Sequence, residues 1–256
     1  MNNKWWGIYC VWLRYFKVFR KSLIYGIVTT FLEPILYLTS FGFGLGSLVG
    51  NIQVDTMTVS YRSFIFSGIV AQTVMFQGFF EAAYGSFIRM YYQKVFQAIA
   101  MTPITISELL WAEILWDASK ATFSASVVLL IGSVTGDFNP LGALMTIPFC
   151  FLCAMLFASL GVLVAAKSKT IEEISYPQYL LIFPMFLFCG VFFPLQQLPD
   201  FLEIFAWLLP LTPIVSIIRT NVINLPMNWI AVPVVIGWLL ILVPLARHSM
   251  TSRLVK

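Results

Sequence analysis

Residues 183–220 read FPMFLFCGVFFPLQQLPDFLEIFAWLLPLTPIVSIIRT, and the way this stretch meets a membrane decides the fold. An apolar run ends at Phe193-Pro194 and gives way to a polar step, Gln196-Gln197-Leu198-Pro199-Asp200. A further apolar run leads into a Leu-Pro-Leu-Thr-Pro knot and a second short segment ending at Arg219. A spanning helix needs ~20 predominantly apolar residues. Neither piece after the break reaches that length, but together they can enter a bilayer and return.

The rest of the chain is built for lipid. Of 256 residues, 60% are hydrophobic and 10% charged, where a soluble domain carries about 25% charge. This is an integral membrane protein. Apolar runs place helices at 22–48, 62–86, 107–134, 141–166, 171–193 and 229–250, which gives six spans around the broken segment at 199–222. The first run is studded with Lys and Arg and has no small-residue cleavage site, so it is not expected to be a removable signal. Residues 4–21 carry Trp5, Tyr9, Trp12, Phe16 and Phe19 at helical spacing, with Arg14, Lys17 and Lys21 opposite. That pattern predicts a helix lying in the headgroup layer, in contact with membrane lipids.

Charge distribution sets the orientation. Lys4, Arg14, Lys17, Arg20, Lys21, Arg89, Lys94, Lys167, Lys169, Arg247, Arg253 and Lys256 fall on one side, twelve of the fifteen cations. Arg62 and Arg219 fall on the other, and Lys120 lies within a span. The positive-inside rule then makes both termini cytoplasmic and the broken segment outer.

Inside the spans, polar residues are few. Glu33-Pro34 sits in the first, where Pro kinks the helix and the carboxylate should face protein or water. Gly42, Gly46 and Gly50 recur as a small-residue packing stripe. The Gly-rich FGFGLG has no preceding strand and the wrong spacing for a dinucleotide loop. Glu113, Asp117 and Lys120 share a helical face, so Asp117 and Lys120 are expected to neutralise each other. A proton relay there has no further acid in line. Cys150 and Cys153 lie in an apolar run without a second ligand pair, and His248 is the lone histidine. The expectation is therefore no metal and no catalytic residue. Nothing in the chain suits nucleic acid.

Three stretches resemble the type-2 membrane permeases of ABC exporters. They are Leu32-Glu33-Pro34 through FGFGLG, FQAIAMTPITISELL from Phe96, and GVFFPLQQLPDFLEIFAWLLPLTPIVSIIR. The first is similar to the nodulation-type lipo-oligosaccharide export permeases. The resemblance implies an all-α fold of the ABC-2 (type V exporter) kind, with six spans, an interfacial helix, a coupling helix at 87–103 and an outer re-entrant pair at 199–222. It implies a bacterial inner membrane, a second permease copy as partner in a homodimer, and a dimer of separate ATPase subunits that bind ATP and Mg. The chain itself has no G-x-x-x-x-G-K-[ST] loop.

The expected contact with the ATPase comprises Arg89, Tyr91, Tyr92, Gln93, Lys94, Phe96, Met101 and Pro103. The expected path for an amphipathic cargo comprises Glu33, Phe41, Phe43, Phe76, Phe79 and Phe80, since aromatic faces suit acyl chains and sugar rings. Phe193, Pro194, Leu198 and Phe201 are expected to close the exit. A lipid-linked or (lipo)oligosaccharide cargo leads, and a hydrophobic drug or antibiotic is the alternative. A membrane-embedded transferase would need an acid cluster at the membrane surface, for which only Glu113/Asp117 and Glu172-Glu173 offer pairs.

Overall fold

Most long runs of apolar sequence are wound into helix, because a backbone in hydrocarbon must satisfy its own polar groups. The computed structural model describes residues 4–21, 23–54 and 57–254. Helix α1 (Lys4–Lys21) precedes α2 (Leu23–Tyr37), which widens into π-helix over Leu38–Leu45 and ends at Val49. Strands β1 (Asn51–Val54) and β2 (Met57–Ser60) form an antiparallel hairpin, Asn51 opposite Ser60 and Val54 opposite Met57. Helix α3 (Tyr61–Tyr92) follows, with π-helical stretches at Glu81–Gly85 and Ile88–Tyr92. Next come α4 (Val95–Ala100), α5 (Ile106–Val134) and α6 (Pro140–Lys167). Short helical pieces run from 172 to 188 and end in α7 (Phe183–Phe188). The chain finishes with α8 (Asp200–Leu208), α9 (Leu211–Ile223) and α10 (Ala231–Leu254).

Five described segments are long and apolar enough to cross a membrane: Leu32–Val49, α3, α5, α6 and α10. Helices α8 and α9 pass that test only together, bent by 86°. Helices α3 and α6 form the centre, with 83% and 78% of their most apolar windows buried, against 18% and 22% for Leu32–Val49 and α10. Between lipid-soluble helices the hydrophobic effect gives no preference for contact, so close approach of small residues must supply it. At Gly142 of α6 a Cβ would stand 1.8 Å from the carbonyl oxygen of Asn221 in α9, and at Gly161 2.6 Å from that of Phe79.

Helix starts follow local chemistry. Thr105 and Glu108 make a reciprocal capping box at the head of α5, Glu108 N to Thr105 Oγ1 at 3.3 Å and Thr105 N to Glu108 Oε2 at 2.7 Å. Asn139 caps α6 with Pro140 in its first turn. In the turn between them, Asp137 accepts bonds from Arg62 Nε at 2.8 Å, Ser63 Oγ at 3.1 Å and Thr135 Oγ1 at 2.6 Å. This ties the start of α3 to the α5–α6 corner.

Several expectations need correction. The polar loop at 50–61 contains the hairpin, so the chain is not purely helical among the described residues. The helix expected at 62–86 runs on to Tyr92. The segment at 171–193 is not one long helix. Its pieces change winding from 3₁₀ to α to π, because Pro177 and Pro184 each remove an amide donor, and it opens at Gly190, whose φ of +74° stops the helix. Of the glycine stripe, Gly42 meets Phe66 closely, while Gly46 has only ordinary contacts and Gly50 faces open space. Helix α1 is docked on α5 through Val11 and Tyr15, both buried, leaving Trp5, Tyr9 and Phe16 exposed. The expected five-ring stripe is thus split between protein and surroundings.

Candidate functional site

The expected path residues are sorted by the tertiary structure into two groups. Ring centroids run Phe41–Phe192 at 4.9 Å, Phe192–Phe186 at 5.0 Å, Phe186–Phe76 at 5.1 Å and Phe76–Phe80 at 5.5 Å. Phe80 continues to Tyr84 at 6.3 Å, whose hydroxyl donates to Gln178 Oε1 at 2.8 Å. These separations suit tilted aromatic pairs. The result is a continuous aromatic face built from α2, α3, α7 and the break after α7. Phe41, Phe80, Phe183 and Phe192 are only half-buried on it, and Tyr179 is 67% exposed. Phe79 is fully buried and packs the core, its ring edge-on to Phe80 at 5.5 Å. The side chain of Phe43 lies outside the described residues.

At one end of this face a hollow of about 570 Å³ is lined by Glu33, Tyr37 and Phe41. Gln72, one turn before Phe76, is buried with its Oε1 unpartnered. A mostly aromatic surface with a few isolated polar atoms can contact an amphiphile without holding a small ion. Tyr37, Phe183, Phe186 and Phe192 were not anticipated. The last three stand inside the quoted stretch FPMFLFCGVFF, but only the fold brings them to Phe76.

A second feature is a buried ion cluster. Arg89 donates from Nε to Glu113 Oε1 at 3.0 Å and from Nη2 to Glu113 Oε2 at 2.5 Å, and reaches both oxygens of Asp117 at 3.4 Å. Tyr15 donates its hydroxyl to Glu113 Oε1 at 2.6 Å, and the guanidinium sits 5.1 Å from the Tyr15 ring. Burial, reinforced by the adjacent Glu113 charge, pushes the Tyr15 phenol well above its ordinary value and keeps it a donor. Lys120 pairs with Glu81 rather than with Asp117. The cluster therefore joins α1, the end of α3 and the first half of α5. Among the described residues no three His, Cys, Asp or Glu side chains converge as a metal site.

Arg89 is half-buried, its guanidinium turned toward Glu113 and Asp117. It was expected on the contact with an ATPase; its carboxylate partners draw its side chain toward α5, because a charge withdrawn from water needs a counter-charge. Phe96 is also buried. The other expected contact residues stay accessible around α4: Tyr92 is 67% and Met101 90% exposed, with Gln93, Lys94 and Pro103 exposed as well. Lys94 adopts a left-handed backbone (φ 52°), which turns the chain sharply out of α3. Tyr91 is half-covered by Arg253, whose guanidinium lies 4.9 Å from its ring and caps the carbonyls of Ala165 and Ala166.

At the far end, the break after α7 is held from inside. Arg219 of α9 donates to the carbonyls of Gly190 at 2.8 Å, Val191 at 3.3 Å and Phe64 at 3.4 Å, and to Ser67 Oγ at 3.3 Å. A chain break in an apolar setting leaves carbonyls without partners, and one guanidinium supplies several. Of the expected exit residues, Pro194 is buried, Phe193 and Leu198 are half-buried, and Phe201 is exposed on α8.

Comparison with known proteins decides the family. The ABC-2 type transporter model matches residues 7–223. The chain belongs to the ABC-2 transporter family. It is 32% identical over 209 residues to nodulation protein J of Bradyrhizobium diazoefficiens, covering 82% of this chain and 78% of that protein. It is 31% identical over 222 residues to nodulation protein J of Rhizobium meliloti, covering 87% and 83%. The inner membrane transport permease YadH of Escherichia coli is 23% identical over 216 residues, covering 84% and 82%. As an ABC-2 permease this is a multi-pass membrane transport protein, in keeping with its five long apolar helices and bent pair.

Proposed function

We propose that this ABC-2 permease is the membrane half of an ATP-driven exporter that moves an amphipathic lipid-linked or (lipo)oligosaccharide-type cargo outward across a bacterial inner membrane. The observation that carries the reading is the aromatic face from Phe41 through Phe192, Phe186 and Phe76 to Phe80, on which Phe41, Phe192 and Phe80 are half-exposed and Phe186 and Phe76 are buried. Six crossings, with residues 172–193 as the fifth, put α8 and α9 on the outer side and both termini in the cytoplasm, following the Lys and Arg distribution. A second copy of the chain facing the aromatic surface encloses the path.

The chain has no phosphate-binding loop of its own, so the energy comes from a separate ATPase pair that carries ATP and Mg. Its contact surface on this chain is the exposed step around α4, from Tyr92 to Pro103. That step is linked to the helix bundle directly, because it leaves α3 one turn after Arg89. A push on α4 is transmitted through the Arg89–Glu113 pair into α5 and α1.

The test is to purify the permease with its ATPase partner, reconstitute both in proteoliposomes and follow fluorescent lipid-linked oligosaccharide. Movement that needs ATP and both subunits supports the reading. Movement of a hydrophobic dye instead of the glycolipid moves the assignment to a drug exporter, and glycolipid turnover without ATP or partner moves it to a transferase.

A further inference from the structure

At the hairpin end of the bundle, a hollow of about 210 Å³ lies between β1, α8, α9 and the return at 225–228. Its volume is below the ~300 Å³ where drug-sized pockets begin, so it suits a small group. Three features of its lining are unsatisfied as they stand.

The first is Arg219, 7% exposed. The part-buried cations Arg89 and Lys120 each have a carboxylate partner, but no carboxylate pairs with Arg219 among the described residues. Its guanidinium stacks 3.5 Å from the Phe64 ring, and its hydrogen bonds among the described residues leave from Nε and Nη2 to neutral oxygens. Nη1 makes none among the described residues. A buried cation without a counter-charge is costly. The second is Thr212, 1% exposed, whose hydroxyl has the Cys189 thiol beside it but no hydrogen-bond partner of normal geometry. The third is Glu203 on α8, which lines the same hollow with Trp207 and makes no ion pair among the described residues.

A lining with a free cationic donor at its buried end and a free carboxylate nearer its opening is poorly matched to a simple ion. An anion alone meets Glu203, and a cation alone meets Arg219. A group carrying an anion next to an ammonium satisfies both, with the indole of Trp207 as a further cation partner. Depth points to the source. Phe64 and Ser67 lie one to two turns inside the start of α3, about 5–9 Å at 1.5 Å per residue, and each headgroup layer is about 5–8 Å thick.

We propose that this hollow holds the headgroup of an ethanolamine-type phospholipid, its phosphate on Arg219 and Thr212 and its primary ammonium on Glu203 and Trp207. The site does not depend on what the permease transports. Filled, it places a counter-ion on Arg219 and ties α8 to the brace behind it.

Native mass spectrometry of the purified full-length permease, titrated with phosphatidylethanolamine or phosphatidylglycerol, tests this. The expected result is about tenfold preference for the ethanolamine lipid, the size of one charge-assisted hydrogen bond. Glu203→Gln, at a half-buried position on a surface helix, should remove the preference, and Glu203→Asp should retain it. Thr212→Val should weaken both lipids alike while leaving the Arg219 brace intact. Equal binding of the two lipids by the wild type, or an unchanged preference in Glu203→Gln, overturns the proposal.

Discussion

Arg89 grips both carboxylate oxygens of Glu113, at 3.0 and 2.5 Å, although the two residues come from separate helices and both are withdrawn from solvent. Tyr15 closes the same carboxylate from a third helix. Breaking a buried pair from one side leaves the other charge stranded, at a cost of about 3–5 kcal/mol. Arg89→Ala and Glu113→Ala should each lower the unfolding temperature of the detergent-solubilised protein sharply. The double variant should lose less than the sum, since neither charge is then left alone. Tyr15→Phe should cost only about 1–3 kcal/mol, as a lost hydrogen bond to a buried acceptor.

The accessible step around α4 should behave in the opposite way. Lys94 and Met101 are exposed, and substitutions at such positions usually shift stability by less than about 0.5 kcal/mol. Lys94→Glu combined with Met101→Asp should leave the permease folded and membrane-inserted. It should abolish cargo-stimulated ATP hydrolysis in the reconstituted complex. Stimulation at the wild-type level would place the ATPase contact elsewhere.

Along the aromatic face, exposure separates transport from folding. Phe41→Ala and Phe80→Ala remove half-buried rings and should slow glycolipid movement several-fold with little change in melting temperature. Phe79→Ala empties a fully buried site and should cost about 3–5 kcal/mol, read as a large drop in thermal stability. Equal melting losses for all three would make the face ordinary core.

Close helix contact gives a further check. A methyl at Gly142 would sit inside the van der Waals distance of the Asn221 carbonyl oxygen. Backbone cannot yield there as a flexible side chain would, so Gly142→Leu should separate α6 from α9 and reduce folded yield on size exclusion. Gly237, with open space where its Cβ would lie, should accept Ala without loss.

Phe201 stands 70% exposed on α8. With a second copy facing it, Phe201→Cys should crosslink under oxidation, stop export and leave assembly intact. Export that continues in the crosslinked form would show that α8 does not gate the path.

Composition, apolar run length and proline placement are local or additive properties, and they alone determined that this chain lives in a membrane, where most of its helices lie, and that residues 183–220 break. Helix length in hydrocarbon and the missing amide of proline do not depend on neighbours. The capping box at Thr105 and Glu108 was equally local and readable as T-x-x-E. Charge partners were not. Asp117 and Lys120 are neighbours on one helix face, yet Asp117 faces Arg89 and Lys120 takes Glu81, because burial favours bidentate and cross-helix pairs over an i, i+3 contact. Nor could spacing show that Phe76 joins Phe186 and Phe192 while Phe79 does not, since that depends on which neighbour each face of α3 meets. Residues 183–220 show both effects. Its prolines and glycine fix where it breaks, but the carbonyls freed at Gly190 and Val191 needed an arginine from a helix beyond the turn. Only the folded chain brings Arg219 to them.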